Sequence, residues 1–100
     1  MVEMTPISID GRIAVGITVD LPKTRLVAIS TSNGYIMCGA LDVNLLNTRL
    51  ADREIVAGRA LGVRTLDDLL TKPLESVTQA ALRIGVREGM TGKDALSLMF

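Results

Sequence analysis

The sequence predicts a single α+β domain over residues 1–100, an N-terminal antiparallel β-meander extended by a crossover strand, with about three helices packed on one face. The strongest sign is the strict alternation of Ile13, Val15, Ile17 and Val19, the period of a strand with one apolar side. A second is the punctuation of the first forty residues by Asp10-Gly11, Leu21-Pro22-Lys23 and Asn33-Gly34, at the spacing of successive hairpins. The third is a switch to helical spacing after Asp42, which leaves residues 1–41 mainly β and 42–100 mixed and mainly helical.

A first strand runs from Met4 to Ile9 and turns at Asp10-Gly11, a pair suited to positive φ. The next strand carries its aliphatic residues on one side. Arg12, Ala14, Gly16, Thr18 and Asp20 make the other side, where the small residues leave room for a neighbouring subunit or another layer to approach. Leu21-Pro22-Lys23 breaks the pattern, because proline has no N–H for a ladder, and Leu26 to Thr31 resumes it. Asn33-Gly34 predicts a second tight hairpin turn, and Tyr35 to Cys38 completes four strands.

Asp42 is a suitable N-cap for a helix through Val43, Leu46 and Leu50 that ends near Arg53. Ile55 to Val63 reads as a strand reached by a crossover and so parallel to the Tyr35 strand. Thr65 caps a short helix, Leu66 to Leu70, with Asp67 and Asp68 in its first turn. Past Lys72-Pro73, the stripe Leu74, Val77, Ala81 and Ile84 predicts a helix terminated by Gly85. A last helix starts at Thr91 and buries Ala95, Leu96 and Met99.

Composition narrows the function. Aromatic residues amount to one Tyr and one Phe, so the core is aliphatic, and 48% apolar residues exceed what a monomer this small easily hides. Burial between subunits is therefore expected. Eleven basic and eleven acidic residues cancel without forming a run, which argues against nucleic acid and membrane partners. A lone Cys and the absence of a basic-then-apolar N-terminus predict a cytoplasmic protein. With no His, acid–base chemistry would fall to Asp, Glu, Lys, Tyr35 or Cys38.

Cys38 is the one candidate catalytic nucleophile, at a strand end just before a helix start, although Asp42 adds an opposing negative charge there and Cys is a common core residue. Arg59 is a charge inside an apolar strand, which calls for a carboxylate partner such as Asp42, Asp67 or Asp68, an edge position open to water, or a bound anion. Arg64-Thr65 stands where an anion or simply a helix cap is expected. Tyr35, Cys38, Arg59, Arg64 and Thr65 together form the candidate ligand-binding set. Gly89-Met90-Thr91-Gly92-Lys93 is not a phosphate loop, because Arg87 and Asp94 replace the Gly and the Ser or Thr that such a loop needs. No metal or cofactor is expected from the spacing, although Asp42, Asp67 and Asp68 leave an acidic site open.

Three blocks resemble the YunC-like family of bacterial and archaeal domains of unknown function. They are residues 34–42 (GYIMCGALD), 57–70 (AGRALGVRTLDDLL) and 85–96 (GVREGMTGKDAL). The resemblance extends through Leu21-Pro22-Lys23-Thr24 and implies a homotetramer formed through the N-terminal β region, with no assigned activity. The reading that follows is an oligomeric binding or accessory module for a small anionic ligand. Its alternatives are a Cys38-dependent thiol or acyl transferase, and a scaffold without a ligand.

Overall fold

A computed structural model describes residues 1–100. Six strands form one sheet in sequence order: β1 (Val2–Ile9), β2 (Arg12–Leu21), β3 (Thr24–Ser30), β4 (Tyr35–Met37), β5 (Ala57–Arg59) and β6 (Ser76–Val77). All neighbours are antiparallel except β4 and β5, which the crossover makes parallel. The helices are α1 (Val43–Asn47), α2 (Leu66–Thr71), α3 (Gln79–Arg83) and α4 (Gly92–Ser97), with a 3₁₀ turn at Ala51–Arg53.

The first hairpin forms as its sequence predicts, with Asp10 and Gly11 both at positive φ (51° and 80°). The turn before β4 does not. Gly34 has no positive φ, and the bend is held by Thr31, whose hydroxyl accepts from the N–H groups of Asn33 and Gly34. Glycine is needed there for space, since a Cβ would lie 2.8 Å from the Val56 carbonyl oxygen.

Alternation splits the sheet into two unlike faces. On the helical face, Ile9, Ala14, Val27, Ile29, Ile36 and Cys38 meet Leu69, Ala81, Ala95, Leu96 and Met99 in the main core. Leu66 of α2 comes down over Gly16, so the small-residue side of β2 takes a helical layer rather than a subunit. On the far face, α1 covers only the β4–β5 end, where Leu41, Val43, Leu46 and Ala57 cluster beside Tyr35 and Met37. The aliphatic side of β2 is on this far face, beyond the reach of α1.

Three elements depart from the sequence reading. The helix expected through Arg53 breaks after Asn47, and a 3₁₀ turn follows. The expected strand from Ile55 to Val63 contracts to Ala57–Arg59. The Leu74–Ile84 helix is replaced by β6 and the shorter α3, because Ser76 and Val77 pair with Arg59 and Gly58. Thr78 then caps α3 by accepting from the Ala81 N–H. Gly85 does terminate that element, at φ 99°.

Only β2 borders β1, so the other side of β1 is a free edge. Met1 and Asp20 exchange backbone hydrogen bonds, which sets odd-numbered residues of β1 toward β2 and even-numbered ones outward. Pro6 is even-numbered, so it removes a donor from the free edge.

Candidate functional site

The five residues singled out from the sequence do not gather at one place. Cys38 is 6% exposed at the end of β4 and faces the main core. Tyr35 and Arg59 are on the opposite side of the sheet, as their register across β4 and β5 requires. Arg64 and Thr65 stand in the loop between β5 and α2.

Arg59 finds a carboxylate that the sequence did not suggest. Its Nε and Nη2 engage the Glu75 carboxylate at 2.7–3.0 Å, and its Nη1 donates to the Leu41 carbonyl at 3.1 Å. The pairing follows from β6, which brings Glu75 beside Arg59. A bidentate arrangement is the strong form of this contact. The Arg59 guanidinium accordingly holds the Glu75 carboxyl below its ordinary value. Arg59 is thereby occupied, with a structural role that ties the loop before α1 to the residue before β6.

Tyr35 packs beside the α1 cluster, and burial pushes its phenol up from its ordinary value. It also borders a shallow polar groove of about 350 Å³ beside the β3–β4 turn, with Ser30, Asn33 and Arg53. The phenol is therefore poorly suited to act as a base.

Asp42, Asp67 and Asp68 do not converge. Asp42 caps α1 through the Leu45 N–H, while Asp68 accepts from the Arg64 N–H. Thr65 Oγ1 accepts from the Asp68 N–H, which closes a reciprocal cap and directs both groups into the backbone. The Arg64 N–H bond is the main reason the Asp68 carboxyl sits below its ordinary value. No three His, Cys, Asp or Glu side chains group as metal ligands.

What the loop does place in the open is the Arg64 side chain. It lines a wide cleft of about 690 Å³ with Leu21, Lys23, Thr24, Arg25 and Val63. The β2–β3 turn supplies four of these six residues. From the sequence that turn is only a break in the strand pattern; the signal for a site there is a Lys and an Arg flanking a Thr at a hairpin tip.

Two enclosing features complete the geometry. Thr78 is 2% exposed, and its hydroxyl donates to the Ile55 carbonyl while accepting from the N–H groups of Ala57 and Ala81. A cavity of about 30 Å³, room for one water, lies next to it between Leu46, Asn47 and Gln79. No helix is long and apolar enough to cross a membrane.

Known proteins match at three levels. Residues 37–99 match the model of a domain of unknown function, DUF1805, which begins inside β4. The uncharacterized protein YunC of Bacillus subtilis (strain 168) is 58% identical over 99 residues, covering 99% of this chain and 98% of that protein. The crystal structure of a protein of unknown function, TA1206 from Thermoplasma acidophilum, superposes with a TM-score of 0.89 at 29% identity, over 100% of this chain and 94% of that one. The chain is similar in sequence to YunC along nearly its whole length and similar in fold to the archaeal protein, and it belongs to the DUF1805 family of YunC-like domains.

Proposed function

We propose that this protein works as a homo-oligomeric module, its copies stacking through the far face of β1–β3 in the tetramer that the family resemblance implies. The observation that carries this reading is the chemistry of that face. Val2, Met4, Pro6 and Ser8 lie beside Ile13, Val15, Ile17 and Val19, and then beside Leu26, Ala28 and Ser30, short of the β2–β3 turn. No charged residue interrupts it. Met4 is 70% exposed and Ile13 63%, an apolar area that single chains seldom leave in water. A second copy of the same surface suits it, because an uncharged patch has nothing to repel its twin and nothing to select an oppositely charged partner. The edge donor missing at Pro6 disfavours strand-to-strand extension and favours stacking of faces.

Sedimentation across a dilution series tests this. The native protein should hold one stoichiometry above one chain, and Ile17→Asp should release a folded single chain with unchanged circular dichroism. A native protein that sediments as one chain at micromolar concentration would remove the proposal.

A second reading concerns what such an assembly carries. The cleft bordered by Lys23, Arg25 and Arg64 supports a small anionic ligand, with Thr65 holding the loop beneath. Calorimetric titration with a panel of small anions tests this reading. The Cys38-dependent transferase draws no comparable support from a thiol buried in the main core. We place the protein in the cytoplasm on the strength of its unpaired thiol.

A further inference from the structure

We infer that the cleft between the β2–β3 turn and the β5–α2 loop binds a compact, multiply charged oxyanion, such as a phosphoryl or polycarboxylate group, through Lys23, Arg25 and Arg64. This deepens the anionic-ligand reading and does not depend on the assembly. In a chain whose charges cancel overall, three cations border one cleft and none of its six lining residues is acidic. Two carboxylates on the elements that form it are already engaged. Asp20 accepts from Arg25 Nε at 2.7 Å, which steadies the guanidinium and leaves its two terminal nitrogens without a protein acceptor. Asp68 accepts from the Arg64 backbone N–H, so it fixes the loop and leaves the Arg64 guanidinium unpaired.

The arrangement is suited to oxyanions more than to other ligands. Guanidinium groups present paired N–H donors that match two oxygens of one phosphate or carboxylate, and the Lys23 ammonium adds a point charge. Thr24 offers a hydroxyl, while Leu21 and Val63 give the walls an apolar lining for a short carbon skeleton. A volume of about 690 Å³ admits a small metabolite. Lys23 is held at φ 59°, a conformation that glycine or asparagine would adopt at lower cost, and the residue there is nonetheless a cation.

The test is calorimetric titration of the native protein with sodium pyrophosphate and, separately, with citrate, at low and moderate salt, together with amide chemical-shift mapping. The expected result is saturable binding that weakens as salt rises, with shifts confined to residues 21–25 and 62–65. Arg64→Gln should weaken it by about tenfold, the loss of a charge-assisted hydrogen bond. Lys93→Gln, on α4 and outside the cleft, should leave the affinity unchanged. Pyrophosphate binding without citrate binding assigns a phosphoryl ligand, and the reverse assigns a polycarboxylate. Absence of saturable binding to both would overturn the inference, as would equal affinity in the Lys23→Gln, Arg64→Gln double variant. Sedimentation of the same samples separates this outcome from a failure of assembly, because each chain contains the whole cleft.

Discussion

The first three strands and the remainder of the chain solve the same problem in different ways. Strands β1–β3 are long, seven to ten residues each, and are covered on one face at most. From β4 onward no element exceeds six residues, yet the sheet there is covered on both faces, by α1 on one side and the other helices on the other. Before Gly34, only Ile9, Ala14, Gly16, Val27 and Ile29 are buried. Long ladders with one bare apolar face are held by backbone pairing, and short elements are held by packing and by side chains that satisfy backbone groups. The family model matches only residues 37–99, the part that packs on itself.

That contrast can be broken most severely in the packed half. In Gly92→Ala the new methyl group would overlap the Leu69 carbonyl, a backbone group that cannot move aside without shifting α2. A loss of about 3 kcal/mol or more is expected, measured by urea unfolding. Thr78→Val, nearly the same shape, removes the hydroxyl that serves Ile55, Ala57 and Ala81. It should cost about 2–3 kcal/mol, the penalty of leaving buried backbone groups without partners. If either variant is as stable as the native protein, the packed half is not what holds the fold.

The bare half should respond differently. Val19→Asp on the far face should change the stability of a single chain by less than about 1 kcal/mol, because the site is not enclosed within one subunit, while it disperses the assembly. A large loss of chain stability with the stoichiometry unchanged would place the contact within the subunit. Smaller still is Lys23→Gly, which relieves the left-handed backbone at the β2–β3 turn. It should stabilise by about 0.5 kcal/mol and reduce oxyanion affinity in the same sample.

Acid separates the halves again. The Glu75 and Asp68 carboxyls both lie below their ordinary values, the first through Arg59 and the second through the Arg64 N–H. A depressed carboxyl pKa contributes stability that is complete above its unfolded value, about pH 4, and is lost as pH falls through the lowered folded value. Unfolding midpoints measured from pH 6 downward should therefore fall less in Glu75→Gln than in the native protein. An identical pH profile would show that the ion pair carries no pH-dependent stability.

Much of the fold was legible because local chemistry decides it. Asp10-Gly11 fixes a turn, Thr65 and Thr91 cap α2 and α4 as expected, and the crossover makes β5 parallel to β4. Alternation in β2 gave the two sets of side chains but not which set faces the helices, since that depends on where Leu66 lands, fifty residues later. The stripe Leu74, Val77, Ala81 and Ile84 has helical spacing, and long-range pairing of Val77 with Gly58 overrides it. The same missed pairing hid Glu75 as the partner of Arg59. The cationic cleft was illegible for a related reason, because Arg64 meets Lys23 and Arg25 only once β5 has folded back beside the meander.

The proline on the outer rim of β1 bears on what happens at high concentration. Copies that cover one another's oily surfaces reach a fixed number and stop, whereas a rim that accepted a further strand would let the sheet lengthen without limit. With Val in place of Pro6 that limit is lifted, so concentrated stocks of such a variant would be expected to thicken into fibres.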